Sequence, residues 1–184
     1  MNIREKKIIN AIIYFVNHTK NCKKTKLFKL LYYLDFMHFK RFGLSVTGYN
    51  YITMPYGPVP EELLKQFERD EFPDEFKKNI TIEKVTDDDD KQSFQITLKN
   101  KKPDLDWFTP NELKVLEEVV EIFKDAPAKD IAEATHFRNT PWDKTIKTNG
   151  IGSDIDYFLA LDEDTSLSRE EIEERFNLQK QLSG

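Results

Sequence analysis

The sequence predicts a mainly α-helical fold of the α+β class: a single compact helical domain with a small antiparallel β-hairpin or sheet. Three observations carry this prediction. Apolar residues recur at helical spacing along most of the 184 residues. The stretch 25–42 is apolar almost all round, which is typical of a helix at the centre of a domain. Two short runs within residues 80–99 instead alternate apolar and polar side chains, as paired strands do.

The N-terminal part predicts two helices, the first over residues 3–17 and the second from the capping residue Thr25 to Gly43. The apolar positions of the first are Ile8, Ile9, Ile12, Ile13 and Val16. The second carries Leu27, Leu30, Leu31, Leu34 and Met37 on one face, with Phe28, Tyr32, Tyr33, Phe36 and Phe39 between them. Both sets are predicted to lie in the core, although Tyr32 is also a candidate contact residue.

Prolines break the pattern after the second helix. Residues 44–60 predict an irregular segment with a short strand at 49–53, and Pro60 can open a short helix. The hairpin at 80–99 follows, with four aspartates, Asp87–Asp90, between its strands. They lack the spaced ligands and glycine of a calcium loop, so a solvated turn is favoured over a metal site.

Capping signals mark the C-terminal helices. Thr109 and Glu112 form a capping box for a helix to residue 124, and Pro127 opens the next helix. Thr140 and Pro141 start a third, which Asn149-Gly150 ends. Ser168 and Glu171 repeat the capping box before a charged C-terminal helix. We expect one domain over residues 1–160, with 161–184 as a charged helix or tail and not a separate domain.

The charge is unevenly distributed. Residues 1–60 hold ten Lys+Arg and two Asp+Glu, a balance of +8, and the remainder hold eighteen and thirty-one, a balance of −13. The basic part either attracts nucleic acid or an acidic protein, or is covered by the chain's own acidic part, which is the favoured interpretation. A lone cysteine, Cys22, and the lack of a signal or membrane-spanning pattern lead us to expect a cytoplasmic protein without membrane contact.

Catalytic and metal-binding signatures are lacking in the sequence. It has no GxSxG, GxxxxGK[ST] or GxGxxG motif, and His18 with Cys22 would need two further ligands to hold zinc. His136, at a predicted helix end, can cap, pack or serve as an acid/base; a hydrolase would combine it with Asp35 or Tyr56. We expect no enzyme activity, no cofactor and no metal.

Two motifs resemble the SocA-like Panacea domain family. Lys26–Phe36 is similar to its KLQKLLYFADF helix, and Gly48–Pro60 to its G…Y.A..YGPVP segment. Thr135-His136 and Pro141-Trp142 resemble a later Ser-His and Trp pattern, with threonine in place of the commoner serine, and Gly150-Ile151 matches a following Gly and Ile. The resemblance covers roughly residues 8–160; the acidic segment from Asp162 lies outside it.

The resemblance implies an antitoxin, or a phage-associated relative, that neutralises a cognate toxin by direct binding, or as an adaptor to a ClpXP-type protease. No catalysis is needed for either. The turn tyrosines suit a contact surface or the packing of the turn onto the second helix. The predicted partner-binding residues are Tyr32, Asp35, Tyr49, Tyr51, Tyr56, Gly57, Pro58, His136 and Trp142.

A second hypothesis is a DNA-binding regulator or mobile-element protein that uses the basic segment 20–29. Its candidate phosphate contacts are Lys20, Lys23, Lys24 and Lys26, which cluster where a helix N-terminus disfavours positive charge. The acidic pI of about 5.4 argues against general nucleic-acid affinity, so nucleic acid is not expected as a partner. The sequence carries no indication of oligomeric state.

Overall fold

The computed structural model describes residues 2–86, 92–100 and 102–183. Within them the chain forms eight α-helices and two two-stranded antiparallel sheets, so the predicted mainly helical α+β class is confirmed. The helices are α1 (Ile3–His18), α2 (Lys24–Phe42), α3 (Glu61–Arg69), α4 (Asp74–Asn79), α5 (Pro110–Phe123), α6 (Ala128–Thr135), α7 (Pro141–Asn149) and α8 (Arg169–Ser183). The strands are β1 (Tyr51–Met54), β2 (Gly57–Pro60), β3 (Ile80–Thr86) and β4 (Gln92–Leu98).

Helix α2 is the central element, as its all-round apolar sequence predicted. It contacts α1, α5, α6, β2 and β4, and twelve of its residues are buried. Its start differs from the prediction, because the residue before the helix is Lys23 and no side chain caps it. Its end agrees: Gly43 takes a φ of +71° and its N–H donates to the Phe39 carbonyl.

Strand β2 was not predicted, because two of its four residues are prolines. The backbone groups of Tyr51 and Thr53 hydrogen-bond to the segment 152–155, so the backbone groups of Ile52 and Met54 point towards β2. The backbone groups of Pro58 and Pro60 therefore point away from β1. A strand tolerates prolines on such an outer edge, since no ladder bond needs an N–H there.

The second sheet is the predicted hairpin, with Ile80 opposite Leu98 and Thr86 opposite Gln92. The four aspartates of its predicted turn lie outside the described residues. The capping boxes at Thr109 and Ser168 are both formed, and Thr140 caps α7. Among the described residues, no helix is long and apolar enough to cross a membrane.

Helix α8 packs on the C-terminal end of α2. Ile172 and Phe176 are buried, and the Phe176 ring lies 5.1 Å from that of Phe39. A side chain at Gly43 would come within 3.1 Å of the Ile172 backbone, so the small residue that ends α2 also admits α8. Gln179 exchanges hydrogen bonds with the backbone of Ser45. The acidic C-terminal segment therefore contributes side chains to the core.

The charge asymmetry is largely neutralised within the chain, as the favoured interpretation predicted. Five cations of residues 1–60 form ion pairs with carboxylates from later in the chain. These pairs are Arg4–Glu62, Lys7–Glu112, Lys20–Asp125, Lys40–Asp162 and Arg41–Glu118. Half of the ten cations of residues 1–60 are thus paired with the acidic part.

Candidate functional site

Most of the predicted partner-binding residues are buried, which corrects the predicted contact surface. Tyr32, Asp35, Tyr49, Tyr51, Gly57 and Pro58 all lie inside the fold. A partner cannot reach them in this conformation. Three of the nine residues reach the surface: Tyr56 is exposed, and His136 and Trp142 are half-buried.

Asp35 fixes the segment after α2. Its carboxylate accepts hydrogen bonds from the Val46 and Thr47 amides at 2.7 Å each, from the Thr47 hydroxyl, and from the Tyr51 hydroxyl at 2.7 Å. Burial raises the pKa of this carboxyl, although the hydrogen bonds oppose the shift. The side chain is fully enclosed, so the geometry explains Asp35 and Tyr51 as structural residues.

The tyrosines of the turn segment also pack inward. The Tyr51 ring makes edge contacts with Tyr32 and Phe36, and the Tyr49 carbonyl accepts a hydrogen bond from the Tyr157 hydroxyl at 2.8 Å. The Arg4 guanidinium lies 5.1 Å from the Tyr49 ring. These contacts support the packing alternative for Tyr32, Tyr49 and Tyr51.

Lys29 anchors the outer edge of β2. Its ammonium donates to the Pro58 carbonyl at 2.6 Å, which is the group that β2 turns away from β1. Gly57, at a φ of +94°, leaves room for this contact. A Cβ there would lie 2.5 Å from Thr135 Oγ1 and 3.0 Å from Lys29 Cε. Burial lowers the pKa of Lys29 to about 7.

His136 and Trp142 stack beside the hairpin, with ring centroids 4.0 Å apart and an interplanar angle of 21°. The Trp142 indole donates to the Met54 carbonyl at 3.2 Å. His136 Nε2 is shielded from solvent and has no hydrogen-bond partner within the described residues. Burial, followed by the positive charge of Lys29, lowers the pKa of His136. The lowered pKa favours the neutral form of the imidazole in this stack.

Three large apolar side chains are exposed around the β1–β2 turn. Tyr56 is 77% exposed at the turn itself, Phe137 is 66% exposed directly after His136, and Ile151 is 54% exposed. Ile151 follows Gly150, whose carbonyl accepts from Thr53 Oγ1 at 2.7 Å. We call Tyr56, Phe137 and Ile151, with the His136–Trp142 stack, the hairpin-tip patch.

The alternative nucleic-acid surface is altered by the structure. Lys26 is buried and donates to the carbonyls of Lys20, Lys124 and Ala126, so it is not available to phosphate. Lys20 pairs with Asp125, and the Lys24 ammonium lies 4.6 Å from the Phe94 ring centroid. Lys23 has no ion pair within the described part of the chain.

The hydrolase alternative required His136 to meet Asp35 or Tyr56. No hydrogen bond joins His136 to either residue among those described, and Asp35 already accepts four bonds elsewhere. His18, the proposed partner of Cys22, bonds the Tyr14 carbonyl at 2.8 Å. Within the described ranges, no three metal-ligating side chains come together.

Sequence reasoning missed Lys29, Thr135, Phe137 and Ile151 as parts of this site. Lys29 carried a detectable signal: a helix with no solvent face must bury any lysine within it, and a buried lysine needs an acceptor. Ile151 was part of the family resemblance, but its exposure, like that of Phe137, carried no signal, since exposure on a loop does not follow from residue type.

Comparison with known proteins identifies the family. The family model described as antitoxin SocA-like, Panacea domain, matches residues 27–143, which is more than half of the chain. The match begins within α2 and ends just after Trp142, so it encloses the β1–β2 hairpin and most of the hairpin-tip patch. No curated protein and no solved structure matches. The chain therefore belongs to the SocA-like Panacea domain family of antitoxins.

Proposed function

We propose that this antitoxin-family protein neutralises a cognate toxin by direct protein–protein binding through the hairpin-tip patch. The observation that carries this proposal is Tyr56. Gly57 and Pro58 of the same motif are explained by their contacts with Thr135 and Lys29, whereas Tyr56 stands 77% exposed beside them. The fold does not require a tyrosine there.

The composition of the patch supports a contact role. Tyr, Trp and Phe are enriched at protein interfaces because they bury a large area at a small entropic cost. Pro55 and the Gly57–Thr135 packing hold the turn before any partner arrives, which lowers the ordering cost of binding. Binding of this kind requires no catalysis, so we propose that the protein is not an enzyme.

The test is co-expression with the product of the neighbouring gene as the candidate toxin, followed by an affinity measurement on purified proteins. We expect Tyr56→Ala and Phe137→Ala each to weaken toxin binding at least tenfold and to lose growth protection, which is the scale of an interface hot spot. Leu178→Ala is the matched control. Leu178 is 55% exposed on α8, which packs against Phe39 of α2, roughly 15 Å along that helix from Lys29.

The proposal fails if both patch variants keep the wild-type melting temperature and still bind and protect fully. The same cells separate two modes of action. If the toxin's half-life is unchanged while growth is protected, the antitoxin acts by blocking. If protection needs a ClpXP-type protease and the toxin is degraded, it acts as an adaptor.

A further inference from the structure

The loop between α6 and α7 presents Phe137 and Arg138 side by side in a fixed conformation. Thr140 Oγ1 donates towards the Thr135 carbonyl at 2.7 Å, and the Asn139 amide donates to Asp143 Oδ2 at 2.9 Å. Asn139 takes a φ of +70°, a left-handed conformation that asparagine tolerates well. The loop is therefore closed by its own hydrogen bonds while its two largest side chains are exposed.

Arg138 forms no ion pair within the described residues, although it lies near enough to Asp143 for its charge to help lower the pKa of that carboxyl. Asp143, the carboxylate of this loop region, already binds the Lys147 ammonium at 2.7 Å and the Asn139 amide. Glu133 pairs with Lys129 at 3.7 Å. Arg138 has neither an ion pair nor a hydrogen bond within the part of the chain that the structure describes.

A buried lysine lies behind the same surface. Lys29 is buried and donates to the Pro58 carbonyl, with no carboxylate partner within the described residues. It is close enough for its charge to act on His136. The guanidinium of Arg138 thus lies beside the apolar side chains of the hairpin-tip patch without an ion-pair partner, on a chain whose net charge is −5. Elsewhere, five cations of residues 1–60 pair with carboxylates.

We propose that the toxin surface recognised by this patch is an apolar socket for Phe137 flanked by a carboxylate that pairs with Arg138. This inference rests on the proposed function and specifies the chemistry of its partner. Arginine suits the role because its planar guanidinium binds a carboxylate through two parallel hydrogen bonds, and because arginine beside an aromatic residue is a common hot spot.

The test measures toxin affinity for Arg138→Gln and Arg138→Glu over a salt series. We expect Arg138→Gln to weaken binding about tenfold at 0.1 M salt and Arg138→Glu to weaken it further, since like charges then face each other. The loss on raising salt should be smaller for Arg138→Gln than for the wild type. Arg69→Gln, an exposed arginine at the end of α3, is the control and should behave as the wild type.

The outcomes separate the inference from the proposed function. If Tyr56→Ala loses binding but Arg138→Glu keeps it or tightens it, the acidic partner is overturned and the contact surface stands. If none of these variants changes binding, both fail. An acidic residue of the toxin whose change to lysine restores binding to Arg138→Glu would support the pairing directly.

Discussion

At the scale of single residues, two lysines of α2 explain why positive charge clusters at its start. Lys26 and Lys29 lie one turn apart, and both donate to backbone carbonyls that have no other partner in their own elements. Lys26 binds the carbonyls at the end of α5, where the helix dipole favours a cation. Lys29 binds the outer edge of β2. Their surroundings require hydrogen-bond donors and not phosphate contacts.

The buried ammonium of Lys29 predicts a pH-dependent stability. Its pKa is about 7 in the folded protein and ordinarily 10.5, so between these values the unfolded chain binds the extra proton. Stability should therefore rise with pH above 7, and below pH 7 the full cost of burying the charge is present. We expect the unfolding free energy of the wild type to rise by about 2 kcal/mol relative to that of Lys29→Met from pH 7 to pH 9.

Urea unfolding at several pH values measures this difference. Lys29→Met leaves the Pro58 carbonyl unpaired at every pH, which costs about 1–3 kcal/mol, but it removes the titrating group. Lys65→Met, on the exposed face of α3, should track the wild type across the range. A difference between wild type and Lys29→Met that stays constant with pH would show that Lys29 titrates as an ordinary lysine.

At the scale of elements, the β1–β2 hairpin is fixed at three places. Thr53 bonds the segment 150–153 on one edge, Lys29 bonds the other edge, and Gly57 packs against the end of α6. These contacts hold the exposed tip of the hairpin against α2, α6 and the end of α7. At Gly57, an added Cβ would lie 2.5 Å from Thr135 Oγ1.

Gly57→Ala is expected to destabilise the protein beyond the ordinary cost of a positive φ. Gly152 offers the matched control, because its φ of +80° is similar and no atom lies within 4 Å of a Cβ placed there. An alanine at either position carries the conformational cost of about 1–2 kcal/mol. At Gly57 the Cβ must also displace Thr135 Oγ1, so we expect a further loss of about 2 kcal/mol in denaturant unfolding.

The double variant Gly57→Ala/Thr135→Ala isolates the contact. Removing Oγ1 relieves the overlap, so the two changes should be less destabilising together than the sum of their separate effects. Equal losses for Gly57→Ala and Gly152→Ala would mean that α6 does not pack against the hairpin as described.

At the scale of the whole molecule, features set by neighbouring residues were predicted from the sequence, and features that depend on contacts between distant segments were missed. The core leucines of α2, the capping box at Thr109 and the end at Gly43 all follow from neighbouring residues, and all are confirmed. Strand β2 was missed because its prolines are tolerated only on an edge. The position of these prolines depends on the β1–β2 register, and β1 in turn bonds the segment 152–155, nearly a hundred residues away.

The candidate site shows the same division. Its motif residues were recognisable in the sequence, but their exposure was not, because burial of Tyr49 and exposure of Tyr56 depend on how the turn meets α2 and α6. The patch joins side chains from residues 56, 136–142 and 151. Only the packing of the complete fold brings these positions together.

The internal neutralisation of charge makes a final prediction about nucleic acid. DNA binding needs unpaired cations that can neutralise phosphates and so release the counterions of the DNA. Five cations of residues 1–60 are already paired with carboxylates of the same chain. Lys26 and Lys29 are committed to carbonyls. We expect fluorescence anisotropy to detect no binding of duplex DNA at 0.15 M salt.

We also expect the double variant Lys20→Glu/Lys23→Glu to retain toxin binding, because exposed pairs such as Lys20–Asp125 contribute little stability. A DNA affinity that falls steeply with salt and is abolished in this variant would instead establish the basic segment 20–29 as a nucleic-acid surface.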